Sequence, residues 1–309
     1  MVSHSHTAPA SVSRKLIVGS LATLGFVAIE FAIGYLANSL ALIGDALHNL
    51  TDAIALFIAL IVVRIERRPP TLVKSFGYQR AGILAAFLNA ATLIGFTIFL
   101  FVEAWHRVQF PQNVDTGLML VLAVVGIILN LSLTFWLRHE GKHDINIRGA
   151  VVHLIGDALA SVGIVIAAIL IRFTGLTIFD PILSVVIGLL ILWSSWGILR
   201  EAVNLLLEGT PRGIDPIAIE GELARFDGVQ GVHHLHVWAL ASSRPALSCH
   251  LLLGDISLKE ASQLLERVSA MLNAKFLIEH TTIQIEYAGC PEDQPDCAPP
   301  AARIDRSAK

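Results

Sequence analysis

Six apolar stretches, at about 16–37, 40–63, 81–104, 115–137, 149–171 and 180–206, constrain this chain more than any other feature. Each is near the roughly 20 residues a helix needs to cross about 30 Å of hydrocarbon. Inside a bilayer every backbone amide must be satisfied within the protein, so stretches of this kind read as transmembrane helices. Composition agrees with them. Charged residues are 15% of the 309, apolar residues 54%, and mean hydropathy is +0.67, where a soluble domain has about 25% charged residues. An ordinary water-soluble enzyme is therefore excluded. The net charge of -3 excludes an overall basic chain built for nucleic acid. Cys249, Cys290 and Cys297 are too few and too late for a secreted disulfide scaffold. The stub MVSHSHTAPASVSRK leads into an apolar run too long for a signal-peptide core, with no small-residue cleavage site after it, so a retained helix is expected.

The expected organisation is a polar stub at 1–13, a six-helix membrane domain at 14–207, a small soluble domain at 208–288 and a disordered Pro- and Ala-containing tail at 289–309. Basic residues set the orientation. Arg14, Lys15, Arg64, Arg67, Arg68, Lys74, Arg80, Arg138, Lys142, Arg148 and Arg200 fall on one side, against Arg107 and Arg172 on the other. Both termini and the soluble domain are thus expected in the cytoplasm. Within that domain, IDPIAIEGELARF and SLKEASQLLERVSAMLN have helical spacing, whereas VQGVHHLHVWAL, RPALSCHLLL and HTTIQIEY alternate as strands. The order αββαβ predicts one small ferredoxin-like sheet with two helices on one face. The fold class is therefore an all-α membrane domain joined to an α+β domain. A core of this size is modest, so dimerisation would help stabilise it.

Ionisable groups in mid-membrane are expensive, and each is a site hypothesis. Helix two carries Asp45, His48 and Asp52 in GDALHNLTD, and helix five carries His153 and Asp157 in HLIGDAL. In each helix the His and the later Asp are four residues apart, so they share a face. Two such helices side by side would offer two imidazoles and two carboxylates, a tetrahedral set suited to zinc. Two aspartates neutralise one divalent ion, and imidazole must be deprotonated to bind it, so protons and metal would compete. An intramembrane metalloprotease would need a motif such as HExxH; HNLTD lacks both its Glu and its second His.

The segments NSLALIGDALHNLTD, KSFGYQRAGILAAFLNA, DINIRGAVVHLIGDALASVG, LLLEGTPRGID and HTTIQIEY resemble the cation diffusion facilitator family, in its branch of bacterial cadmium-zinc-cobalt resistance transporters. The resemblance spans about 15–288. It implies a homodimeric, proton-coupled antiporter that exports zinc, with cadmium and cobalt as further substrates, from a bacterial inner membrane. It also implies a cytoplasmic domain that binds zinc, and no enzymatic activity. In that family the transport ligands come from helices two and five, which here are His48, Asp52, His153 and Asp157. Manganese-preferring relatives carry aspartate where His48 stands.

The loop ERRPPTLVKSFGYQR lacks His and Asp, so no site is expected there. His139 and His143, like His4 and His6, read as solvated loop residues. Asp45 is placed as a supporting or proton-pathway group rather than a direct ligand. Glu30 joins it as a pore-lining candidate, while Asn38, Asn89 and Asn130 read as interhelical hydrogen-bonding groups. In the soluble domain, strand alternation puts His234 and His236 opposite His233. The resemblance favours His233, His250 and Glu286 as ligands there, with Gln284 where a relative has histidine. His280, on the face of Glu286, either substitutes or binds a separate ion. Cys290 and Cys297 lack zinc-finger spacing.

Overall fold

A computed structural model of the chain describes residues 10–66, 68–138 and 145–287. His4, His6, His139, His143, Cys290, Cys297, most of the stub and the tail lie outside the described residues. Six long helices come first: α1 (Ala10–Leu36), α2 (Leu40–Glu66), α3 (Ala81–Gln109), α4 (Thr116–Arg138), α5 (Ile145–Thr174) and α6 (Phe179–Leu206). The smaller domain follows as α7 (Pro216–Leu223), β1 (Val229–Ala241), β2 (Arg244–Leu253), α8 (Leu258–Phe276) and β3 (His280–Glu286). This is the expected architecture. Residues 10–13, expected in the polar stub, already belong to α1. The chain divides into two compact units, Met1–Ile58 with Leu88–Gly197, and Ala59–Phe87 with Ile198–Lys309.

In the first unit, α3, α4, α5 and α6 are each long and apolar enough to cross a membrane among the described residues. The 27 residues of α1 and of α2 also exceed the span that needs about 20. Its core draws Leu42 from α2, Leu93 from α3, Met119 from α4, Ile164 from α5 and Ile187 from α6. Phe57, Phe99, Val121, Phe135, Ile166 and Trp193 remain exposed. In water that apolar surface would be a liability, whereas in lipid it is solvated. Small residues let the helices approach. A Cβ on Gly126 of α4 would meet Phe26 of α1 and Ser161 of α5, each at 3.1 Å, and one on Gly188 of α6 would lie 2.5 Å from the Phe101 ring of α3.

In the second unit, β1 pairs antiparallel with β2, and β2 pairs parallel with β3. Ile219 and Leu223 of α7 and Leu264, Val268 and Leu272 of α8 pack with Leu247, Cys249, Leu251 and Leu253 of β2. One sheet face is therefore covered by both helices, and His250 lies on the other. Burial pushes the Cys249 thiol up to about 12, so this cysteine behaves as a small apolar side chain.

The α8 helix starts with a capping box. Ser257 Oγ accepts from the Glu260 amide at 3.3 Å, and Glu260 Oε2 accepts from the Ser257 amide at 2.8 Å. Losing it by Ser257→Ala is expected to cost about 1 kcal/mol. In a domain of this size that lowers the thermal midpoint by about 4–8 °C. An unchanged midpoint for the cytoplasmic-domain transition of the full chain would rule out that contribution.

Candidate metal centre

The α2 and α5 helices bring together the groups that their i,i+4 spacing put on one face of each. His48 Nε2 lies 3.8 Å from Asp52 Oδ2 within α2, and His153 Nε2 lies 3.5 Å from Asp157 Oδ2 within α5. The link between helices is His153 Nε2 to Asp52 Oδ2 at 3.6 Å, with the His48 and His153 rings edge-on at 6.1 Å. One ligand atom each from His48, Asp52 and His153 falls within a 4.8 Å cluster. Asp157 stands outside that trio but beside His153, and is only 6% exposed. The second ring nitrogen of His48, Nδ1, is buried with no hydrogen-bond partner. His48 and Asp52 are half-buried and His153 is exposed, so an ion can reach this set of nitrogen and carboxylate donors, which suits a borderline cation.

Glu30 of α1 and Asp45 of α2 are buried next to each other, at 1% and 2% exposure, alongside Asn49. Glu30 Oε2 and Asn49 Oδ1 have no hydrogen-bond partner there. These groups adjoin the cluster electrostatically through Asp157.

The residues that sequence reasoning missed in this unit are Asp180 and Arg107. Asp180, fully buried in the first turn of α6, accepts from Ser39 Oγ at 2.6 Å and from the Leu40 and Ala41 amides at 2.7 and 3.2 Å. One helix thus caps the N-terminus of another, the one carrying His48 and Asp52. Arg107 Nη1 sits 3.8 Å from Asp180 and donates to the Asn38 carbonyl at 2.6 Å. The only sequence signal was Asp-Pro at a helix start, which reads as an ordinary cap for its own helix.

In the second unit, His233 Nε2 and His250 Nδ1 each lie 2.9 Å from the Glu286 carboxylate. Both nitrogens are buried and face the carboxylate at ion-pair distance. The donor set, two imidazoles and one carboxylate with ligand atoms within 4.8 Å, fits a divalent metal of the zinc type. Burial works to raise the Glu286 pKa. The hydrogen bond from Gln284 and the neighbouring imidazoles of His250 and His233 outweigh it and hold the carboxyl below its ordinary range. Because the folded value is depressed, the stabilisation this group provides is full above about pH 4.3 and is lost as pH falls through the folded value.

Two expectations need correction here. His280 does not join this group. It pairs with Ala246 at the far end of β3, about 20 Å along the strand from Glu286 at roughly 3.3 Å per residue. There it packs edge-on against Phe76 at 5.5 Å. Nor are His234 and His236 opposite His233. A register irregularity between His233 and His236, with His234 at φ +49, breaks the alternation. Val232, Leu235 and Val237 all face the helix-covered core as a result.

Comparison with known proteins identifies the family. The family model described as the cation efflux transmembrane domain matches residues 16–207, and that of the cation efflux protein cytoplasmic domain, ZT_dimer, matches 211–288. The chain is 41% identical over 302 residues to the zinc transporter ZitB of Shigella flexneri, covering 96% of this chain and 95% of that one. It is 39% identical over 295 residues to the metal cation efflux system protein CzcD of Cupriavidus metallidurans, covering 96% and 92%. It is 38% identical over 287 residues to the cadmium, cobalt and zinc/H(+)-K(+) antiporter of Bacillus subtilis, covering 92% and 91%. With a matching membrane domain, a matching cytoplasmic domain and relatives aligned over almost their whole length, the chain belongs to the cation efflux family of membrane transporters and is not an enzyme.

Proposed function

We propose that this protein exports Zn²⁺ from the cytoplasm in exchange for protons, by alternating access around His48, Asp52, His153 and Asp157. The observation that carries the reading is the convergence of the α2 and α5 groups within an apolar bundle. Two carboxylates cancel the charge of one divalent ion, so the loaded site tolerates a low dielectric. Releasing the ion leaves two carboxylates and two imidazoles for protons to neutralise, and this links metal release to proton uptake. Glu30 and Asp45, adjoining and buried, line a path for protons next to that site. The similar Bacillus subtilis protein is described as exchanging cadmium, cobalt and zinc for H⁺ and K⁺, and the Shigella flexneri one as transporting zinc. Cadmium and cobalt are further substrates in this reading.

The membrane domain is residues 14–207 and the metal-binding domain is 208–288. Both termini are cytoplasmic, in a bacterial inner membrane, with the lipid bilayer against the exposed apolar faces. The cytoplasmic domain holds zinc through His233, His250 and Glu286, and supports the homodimer that the name of its family model indicates. A metal there supplies charge that holds the two imidazoles and the carboxylate in place.

The test is zinc uptake into proteoliposomes under an imposed pH gradient. Zinc flux that follows the gradient and collapses when the gradient is dissipated is the expected result. Zinc flux insensitive to pH on both sides would overturn the exchange. No flux of zinc, cadmium or cobalt under any gradient would overturn transport itself.

A further inference from the structure

Zinc bound for a structural purpose takes four protein ligands, and His233, His250 and Glu286 supply three. We propose that His234 supplies the fourth, giving the cytoplasmic domain a tetrahedral three-histidine, one-carboxylate site for a divalent cation of the zinc type. The inference rests on the reading that the other three bind metal.

It starts from the irregularity in β1. In a regular strand His234 would point into the helix-covered core, two residues from Val232. Instead it takes a left-handed conformation, φ +49, as the extra residue of a bulge. Histidine is one of the few non-glycine residues enriched in that region. The bulge sends Leu235 and Val237 inward and brings His234 to the face that carries His250. Bulges of this kind re-aim side chains at functional sites.

The ring positions then match a shared ion. The centroids of His233 and His250 are 5.2 Å apart, those of His234 and His250 4.7 Å, and those of His233 and His234 5.7 Å. With Zn–N bonds of about 2.1 Å, three imidazoles on one tetrahedral zinc have centroids about 5 Å apart. The ring centroids are spaced as such an ion needs, with Glu286 in contact with two of the rings. The ligand atoms already within 4.8 Å of one another are those of His233, His250 and Glu286, so the His234 ring must turn to complete the site. The His234 ring is tilted by 34° to that of His250, and its side-chain torsions are required to turn on metal binding so that a nitrogen faces the ion.

Nearby groups are less suited. His236 is exposed, and its ring is 6.3 Å from His234. Gln284 Nε2 donates to Glu286 Oε1 at 2.6 Å, which orients the carboxylate instead of adding a ligand.

The experiment uses the full chain in nanodiscs, with His153→Ala and Asp157→Ala removing the membrane site. Zn²⁺ affinity is read by competition with a chromophoric chelator, and Co²⁺ coordination by its visible absorption. His234→Gly and His234→Asn both tolerate positive φ, so they delete the imidazole while keeping the bulge. Each is expected to weaken Zn²⁺ binding at least about tenfold and to lose the intense four-coordinate Co²⁺ band. His236→Ala should change neither. If both His234 variants keep parental affinity and band while Glu286→Gln loses them, the fourth-ligand assignment is wrong and the three-ligand site stands. If Glu286→Gln is itself without effect, the metal-site reading falls and takes the proposal with it.

Discussion

Asp157→Ala is expected to abolish gradient-driven zinc uptake, reducing the initial rate by at least about a hundredfold. Asp157 is nearly buried and stands 3.5 Å from His153. Without its carboxylate a bound Zn²⁺ would keep one uncompensated positive charge in the bundle. Removing one partner from a buried charge pair costs about 3–5 kcal/mol, and each 1.4 kcal/mol is a factor of ten in binding. Asp157→Asn preserves the shape but not the charge, so it should fail nearly as badly. Uptake within twofold of the parent for both variants, in liposomes shown to contain folded protein, would move the transport site elsewhere.

Asp180→Ala should be almost as damaging although Asp180 touches none of the proposed ligands. Three donors at the start of α2 lose their acceptor together: the Ser39 hydroxyl and the Leu40 and Ala41 amides. Arg107, 3.8 Å away, loses one of its two carboxylate neighbours and keeps Glu103 at 3.0 Å. Loss of a cap costs about 1 kcal/mol, and each buried donor left unsatisfied about 1–3 kcal/mol. The expected result is a thermal midpoint lowered by several degrees and a strongly reduced zinc flux, because α2 carries two of the four proposed ligands. Asp180→Asn keeps one acceptor oxygen, which can serve the Ser39 hydroxyl and Ala41 amide or the Leu40 amide but not both, so it should recover only part of the stability and not the pairing with Arg107. A midpoint and flux both equal to the parent for Asp180→Ala would show that this cross-helix cap does not hold α2 in place.

The two helices that carry the proposed transport ligands differ in how their roles could be read. For α2 and α5, the i,i+4 spacing of His48 with Asp52 and of His153 with Asp157 made a shared face evident, since helical periodicity is a property of the local chain. Which helices then stand side by side is a packing outcome, and the 3.6 Å contact between His153 and Asp52 spans about a hundred residues of sequence. Asp180 shows the same limit from the other side. Its chemistry is visible, but its partner is 140 residues away, and nothing local distinguishes a cap on its own helix from a cap on another.

The strands make the contrast sharper. The order αββαβ and the helix-covered face followed from alternation. The side on which His234 sits did not, because one residue in a left-handed conformation reverses everything that period-two counting assigns beyond it. His280 fails for a different reason: it shares a face with Glu286, but a face extends the length of a strand while a metal site needs atoms within a few ångströms. The spans, the order of elements and the pairs of residues on each helical face were legible along the chain, because all of them depend on period and hydrophobicity over a few turns. Which faces meet, where a strand breaks its alternation and whose helix end Asp180 caps emerged from the folded chain. Those depend on side-chain packing between segments far apart in the chain, which no local pattern encodes.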